Sequence, residues 1–163
     1  MVQLLNVKST EYSNATATPI VLAQPSLASA KIRIQPVTWA IGGAADVGST
    51  ALLARMPAGQ VTIWTALSKL YNSAWAASST AAFGYGAYYT PTANPPLLVA
   101  ASAAALKAAA SMSSAGSFNL DSVDLAGFQT FLSLTGFDIT LVTAGAALGG
   151  TETIKGFIAY TVD

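Results

Sequence analysis

The sequence predicts a mainly β protein, built as a single β-sandwich or jelly-roll-like domain with one short Ala-rich helix and an extended N-terminal arm. Alternating apolar segments recur along the chain, clusters of Gly, Pro, Asn and Ser separate them, and a single stretch has the composition of a helix. We place the arm in residues 1–30 and the sandwich in residues 31–163, because 163 residues suit one domain with a sizeable core.

The arm is rich in Ser, Thr, Asn and Ala, and Pro19 and Pro25 interrupt it. Proline biases the residue before it towards an extended conformation. Two apolar patches of the arm are candidates for an edge strand or for contact with a neighbouring molecule. They consist of Leu4 and Leu5, and of Ile20, Val21 and Leu22. The alternative, an ordinary first strand folded onto its own domain, is equally favoured.

Residues 31–35 alternate strictly and predict a half-buried strand, with Ile32 and Ile34 on one of its faces. Pro36 places this strand at a sheet edge or marks its end, since proline cannot donate a backbone hydrogen bond. Residues 46–89 then predict three strands that form the middle of the sandwich.

The first two of these strands, 47–56 and 60–70, are joined by a tight turn at Pro57-Ala58-Gly59. A polar loop that carries Trp75 follows them. The third strand, 82–89, alternates aromatic rings with small residues, two of which are glycines. Glycine weakens a strand unless its space is needed, so we expect a large ring or a neighbouring backbone above them.

The Ala-rich stretch 97–112 predicts the one helix, because alanine is the best helix former and Lys107 can take an exposed side. A second, very short helical segment is expected in the sequence AGFQTFL, which begins at Ala126. Residues 137–143 and 151–162 alternate again on either side of a small-residue turn, and they predict a terminal β-hairpin. One face of the first strand carries Phe137, Ile139, Leu141 and Thr143, and one face of the second carries Ile154, Gly156, Ile158, Tyr160 and Val162.

Charged residues make up 9% of the chain, against about 25% in a typical soluble domain. The formal net charge is zero, which favours association and therefore a homo-oligomer. The seven basic residues are scattered, which argues against nucleic-acid binding. Residues 97–110 are too short and, with Lys107 among them, too polar for a membrane span. The N-terminus lacks the pattern of a secretory signal peptide.

The chain contains neither cysteine nor histidine, the usual ligands of transition metals and common catalytic groups. Asp121 and Asp124 lie three residues apart, a spacing open to Ca²⁺ binding or to an acid–base pair. Capping of the short helical segment after them is the favoured interpretation. Without histidine or cysteine, a hydrolase would have to rely on Asp121, Asp124, Asp138 or Glu152, and no spacing supports a pairing. We therefore expect no enzymatic activity, no cofactor and no metal site.

Five features in chain order carry a resemblance to a known family: an Asp-Val strand, the segment LLARMPAGQV, the aromatic strand FGYGAYY, an Ala-rich insert and the terminal strand GFIAYTVD. Together they resemble small structural proteins of tailed bacteriophages, namely head decoration, cement or minor capsid proteins. The similarity spans residues 46–162. It implies a protein on the outside of a capsid that bridges neighbouring major capsid subunits.

The expected function is thus that of a structural virion protein on the capsid exterior, made in the host cytoplasm. The expected partners are the major capsid protein and further copies of the chain, in an oligomer such as a trimer. The expected interface residues are Leu4, Leu5, Ile20, Val21, Leu22, Trp75, Tyr88 and Tyr89. The alternatives are another virion component, such as a tail, neck or fibre-base protein, and a carbohydrate-binding module that uses Trp64, Trp75, Tyr85, Tyr88 and Tyr89.

Overall fold

The computed structural model describes residues 7–8, 13, 32–120 and 127–162. These residues form thirteen strands and confirm that the protein is mainly β. The strands are β1 Val7–Lys8, β2 Arg33–Ala40, β3 Thr50–Met56, β4 Gly59–Ile63, β5 Lys69–Asn72, β6 Thr80–Tyr85, β7 Tyr88–Thr90, β8 Leu97–Val99, β9 Ser102–Ser111, β10 Gly116–Asn119, β11 Gln129–Ser133, β12 Phe137–Ala144 and β13 Thr153–Val162.

Two large sheets and one small ribbon organise these strands. The first sheet has the order β1-β3-β12-β6-β9, and its pairs are antiparallel except for the short parallel pair β1–β3. The second sheet is antiparallel and contains β2, β4, β5, β10, β11 and β13. Strands β7 and β8 form a separate two-stranded ribbon.

Strand β13 is the centre of the second sheet. Strand β2 pairs with it along Arg33–Ala40, while β4 and β5 pair with its two halves one after the other. The predicted strand 60–70 is therefore two strands separated by a turn at residues 64–68. Strand β11 lies beyond β4 and β10 lies beyond β5, so β2 occupies one edge of this sheet and β11 occupies part of the opposite edge.

Both large sheets contribute to one buried core. The first sheet supplies Leu53, Phe83, Leu106, Ile139 and Leu141, and the second supplies Val37, Ile63, Leu70, Ile154 and Ile158. The faces predicted for the last two strands are confirmed. Phe137, Ile139, Leu141 and Thr143 are buried, and Ile154 and Ile158 belong to the core with Tyr160 and Val162 packed against it.

The helix predicted for residues 97–112 is wrong, because this stretch forms β8 and β9. The preference of alanine for helix is below about 1 kcal/mol per residue and yields to tertiary contacts. Here β9 supplies the partner that β6 needs and buries Leu106 in the core, while most of the alanines face solvent. The short helical segment predicted from Ala126 is wrong as well, since Gln129–Ser133 is strand β11.

The predicted terminal hairpin is also wrong. Strand β12 pairs with β3 and β6 in the first sheet, whereas β13 lies in the second. The connection between them crosses from one sheet to the other and is fixed by the bridge between Ala45 and Leu148. An alternating pattern shows which residues face the core, but two strands that face the same core from opposite sheets have the same pattern.

The first predicted strand exists, but its buried face differs from the expected one. Val37 and Trp39 point into the core, whereas Ile32 and Ile34 are exposed. The prediction of an edge position from Pro36 is confirmed, since among the described residues β2 pairs with β13 alone. The predicted close approach above a glycine is confirmed at Gly84, where a Cβ atom would collide with the carbonyl oxygen of Ser102 in β9. The arm patches, Asp121 and Asp124 lie outside the described residues.

Candidate interaction surface

An aromatic cluster fills one end of the space between the two large sheets. Phe131 of β11 and Phe137 of β12 lie 4.6 Å apart between ring centroids. Tyr85 of β6 meets Phe131 edge-on at 5.1 Å, and Tyr88 of β7 lies 5.3 Å from Phe137. Because these rings come from both sheets and from the ribbon, they fix the position of β7 and β8 relative to the core.

The ribbon β7–β8 exposes apolar side chains beyond this cluster. Tyr89 and Leu98 lie directly opposite each other in the ribbon, and Leu98 is 53% exposed. The N–H group of Leu134 donates to the carbonyl oxygen of Tyr89 at 2.8 Å, which joins the ribbon to the end of β11. Tyr89, Leu97, Leu98, Leu132 and Leu134 are all exposed, and we call these five residues the apolar patch.

A groove of about 650 Å³ runs beside the apolar patch, between β9 of the first sheet and β11 of the second. It is lined by Tyr85, Tyr88, Ser102, Ala105, Phe128, Gln129, Thr130 and Phe131. The side-chain Nε2 of Gln129 donates to the carbonyl oxygen of Ala105 at 2.7 Å and ties the two strands together. The groove therefore has an aromatic floor and polar groups from two strand edges.

Neither the groove nor the apolar patch contains a charged residue. Residues 86–106 and 127–137, which supply all of their members except Tyr85, include no Asp, Glu, Lys or Arg. Burial, with a smaller contribution from neighbouring Tyr85, raises the pKa of Tyr88, so its hydroxyl group stays neutral. This surface is suited to a neutral, apolar partner.

The predicted interface residues have different positions in the structure. Tyr89 is exposed in the apolar patch, and Tyr88 is half-buried beneath it. Trp75 is 5% exposed and packs on Trp39 with 6.0 Å between ring centroids, so it is a core residue that a partner cannot reach. Leu4, Leu5, Ile20, Val21 and Leu22 lie outside the described residues.

The sequence analysis missed the leucines of the apolar patch. Leu97 and Leu98 directly follow Pro95-Pro96, and they were predicted to begin a helix that is buried or lines an interface. In the structure they belong to the exposed ribbon instead. Leu132 in β11 and Leu134 directly after it alternate with Phe131 and Ser133. The period-two pattern of TFLSL was the signal that could have identified them.

The five aromatic residues considered for a carbohydrate platform do not share one face. Trp75 is buried in the core, Trp64 packs against Phe128 at 5.5 Å, and Tyr85 lies beneath the groove. Of the acids considered for catalysis, Asp138 forms an ion pair with Arg55 at 2.8 Å.

Glu152, the other acid considered for catalysis, accepts hydrogen bonds from three backbone N–H groups, at 2.8 to 2.9 Å. The part of the chain that the structure describes contains no group of three or more acidic side chains placed to hold a metal ion. Across residues 32–120 and 127–162, no helix has the length and apolar character that a membrane crossing requires.

Comparisons with known proteins give little to identify this chain. No protein-family model and no curated protein sequence matches it. Among solved structures, the chain is similar to one from the infectious bursal disease virus Gt strain, with 12% identity and a TM-score of 0.48. That match covers 80% of this chain and 32% of the viral one. A similarity at this level identifies neither a family nor a function.

Proposed function

We propose that the chain is a structural virion protein, a jelly-roll-like β-sandwich that binds the outside of a phage capsid and stabilises contacts between major capsid subunits. The observation that carries this proposal is the apolar patch with the groove beside it. Exposed apolar side chains that are rimmed by uncharged groups are typical of surfaces that contact another protein. The resemblance in residues 46–162 is what points from a protein partner to a phage shell.

The composition supports a protein that is buried against many neighbours. With 9% charged residues and no net charge, two copies do not repel each other. A standard interface buries about 1,600 Å² and gains roughly 25 cal/mol per Å² of apolar surface before association costs. A modest affinity at each site is then multiplied by simultaneous binding to neighbouring shell subunits.

The proposal includes an oligomer, such as a trimer, in which the N-terminal arm of residues 1–30, apart from the β1 residues that pair with β3 of their own chain, clamps a neighbouring molecule. It assigns the major capsid protein as partner and assigns no cofactor, nucleic acid, membrane or reaction. In this view the apolar patch faces the shell, because it adjoins a groove that both large sheets and the ribbon build together.

The test is binding of the purified protein to empty shells of the phage that encodes it, followed by sedimentation and by heating of the decorated shells. The double variant L98D/L134D should lose shell binding and the gain in shell melting temperature. The matched control is I34D, since Ile34 is 46% exposed, close to the 44% of Leu134, but lies on the opposite sheet edge. Equal binding by both variants would contradict a role for the apolar patch.

Two further experiments separate the parts of the proposal. Deletion of residues 1–25 should weaken shell stabilisation if the arm clamps a neighbour, and unchanged binding and heat resistance would remove the arm from the proposal. Antibody labelling of intact virions should mark the head. Labelling confined to the tail would assign the protein to a tail, neck or fibre-base position instead.

A further inference from the structure

The hydrogen-bonding direction of β11 follows from its neighbours. The N–H group of Trp64 donates to the carbonyl oxygen of Ala159, so the backbone of Trp64 faces β13. Backbone groups alternate in direction along a strand, so Thr62 also faces β13, while Val61 and Ile63 face β11. Val61 and Ile63 oppose Phe131 and Gln129.

Phe131 and Gln129 therefore bond to β4, and the residues that alternate with them along β11 turn their N–H and C=O groups the other way. Those residues are Thr130 and Leu132, which present their backbone groups to the outer edge of the sheet. The bond from the Leu134 N–H group to Tyr89 confirms this direction, since Leu134 is two residues further along. Within the described residues, no strand pairs with this edge of β11.

The outward backbone groups of Thr130 face the groove, which Thr130 itself lines. Edge groups two residues apart repeat every ~6.7 Å, the repeat at which an extended peptide presents its own groups. Alternate side chains of such a peptide would point to the aromatic floor formed by Tyr85, Tyr88 and Phe131. The lining carries no charge, so a charged side chain placed there would lose hydration without gaining an ion pair.

We propose that this groove binds an extended, uncharged peptide segment of the protein partner as an added strand, paired with the backbone of Thr130 and Leu132. This inference rests on the proposed function for the identity of the partner, a protein of the virion shell. Peptide binding by the groove is a property of the isolated protein. It can therefore fail while shell binding succeeds, or succeed while shell binding fails.

The probe is the peptide acetyl-Ser-Leu-Ser-Val-Ser-Leu-Ser-amide with a fluorescent label, titrated with the full chain and followed by anisotropy. We expect saturable binding, and about tenfold weaker binding when the central Val is replaced by Asp or Lys. Two further peptides carry N-methyl groups either on the three apolar residues or on the four serines. One of these two should bind about tenfold more weakly, because its methyl groups occupy the hydrogen-bonding edge.

The matched protein variants are T130P and T130V. Both lose the contact of 3.0 Å between the Thr130 and Thr62 hydroxyl groups, but T130P alone removes the outward N–H group. T130P should bind the probe about tenfold more weakly, and T130V should bind it like the parent. The N-methylated peptides act on the parent protein, so the test does not depend on the folding of T130P.

Several results would overturn the proposal. Absence of binding by the unmethylated peptide would do so, as would equal binding of both methylated peptides and the parent peptide. Binding of a neutral glycan that is lost in the variant Y88A would assign the groove to sugars. A dimer of the parent chain that T130P converts to a monomer, without added peptide, would assign the edge to a second copy.

Discussion

The two edges of the second sheet differ in whether their outward backbone groups are available to pair with a further strand. At the β2 edge, Gln35 opposes Ile158 of β13. The backbone of Ala159 faces Trp64, directly after β4, so the backbone of the preceding Ile158 faces β2, and Gln35 bonds inward to it. Pro36 therefore faces outward, where it has no N–H group to offer, and its carbonyl oxygen already accepts from the Gln35 side chain at 3.3 Å. Exposed Arg33 adds a charge to this edge.

The β11 edge has neither of these protections. Thr130 and Leu132 present complete backbone groups, and the segment 127–137 carries no proline and no charge. Proteins commonly protect exposed strand edges with proline and charged side chains, because an open edge pairs with other chains. Among the described residues, the β11 edge is therefore the one of the two that we expect to accept a further strand.

The protected side also contains a tightly satisfied carboxylate. Glu152, at the start of β13, is 3% exposed and receives the N–H groups of Gly149, Gly150 and Thr151. Its own carbonyl oxygen accepts from the N–H group of Ile41, just after β2. This side is therefore held together by internal hydrogen bonds, whereas the open side is held by aromatic packing.

The largest expected effect tests whether the open side has a rigid floor. Phe137 is fully buried and contacts Phe131 and Tyr88, so F137A should cost about 4 kcal/mol of unfolding free energy through the cavity it leaves. Chemical denaturation gives this value. The control F128A removes a ring of the same size that is 45% exposed, and it should cost less than about 1 kcal/mol. Similar losses in both variants would mean that the floor is loosely packed.

The next effect concerns the protected side. E152Q replaces a carboxylate oxygen by an amide group that donates, so at least one of the three backbone N–H groups loses its acceptor. We expect a loss of about 2 kcal/mol in unfolding free energy, measured by chemical denaturation at neutral pH. The control K155Q changes an exposed residue of the same strand and should stay within about 0.5 kcal/mol of the parent. An unfolding free energy of E152Q equal to that of the parent would show that these hydrogen bonds do not stabilise the fold.

The same residue gives the stability a dependence on pH. Burial of Glu152 opposes its ionisation, but the backbone N–H groups of Gly149, Gly150, Glu152 and Thr151 outweigh burial and lower its pKa below the usual 4.5. A lowered pKa in the folded state means that the unfolded chain takes up the proton first. The contribution is therefore complete above pH 4.5 and is lost as the pH falls through the folded-state pKa. Between about pH 6 and about pH 3, the parent should lose more stability than E152Q does.

The sequence predicted the faces of most strands but not their partners. Alternation correctly grouped Phe137, Ile139 and Leu141 of β12, and Ile154 and Ile158 of β13, on single faces, because period two follows directly from the pleat of a strand. It could not show that these strands lie in different sheets, since this depends on the crossing fixed by Ala45 and Leu148. The Ala-rich stretch was assigned to a helix because propensity is local. The strand that forms instead depends on contacts between different segments, such as the close approach of Ser102 in β9 to Gly84 in β6, which local propensity does not contain.

The candidate surface was only partly predictable for the same reason. Tyr88 and Tyr89 were named from an aromatic row, and Tyr89 is indeed exposed. Leu134 bonds to the carbonyl oxygen of Tyr89, and Tyr89 pairs with Leu98 in the ribbon; these contacts join segments that no local pattern links. Glu152 was considered as a catalytic acid, yet the three N–H groups that surround its carboxylate come from the residues directly before it and from no second acid.

The smallest expected effect tests what holds the end of the β11 edge. The Nη1 atom of Arg55 lies 2.8 Å from Oδ1 of Asp138, and its Nη2 donates to the carbonyl oxygen of Thr135 at 2.8 Å. Arg55 thus ties β3 and β12 to the turn that follows Leu134. Because the Arg55 and Asp138 side chains are 33% and 21% exposed, solvent screens the ion pair, and R55M should cost about 1 kcal/mol.

The loss of unfolding free energy in R55M should be smaller at about 1 M salt, because the Debye length is then only about 3 Å. The control R55K keeps the charge but cannot bond to both Asp138 and Thr135 in the same fixed geometry, so it should fall between the parent and R55M. If R55M also weakens the groove's affinity for the uncharged peptide, the turn after Leu134 helps to keep the β11 edge open. If stability falls while that affinity is unchanged, the aromatic floor alone holds the edge in position.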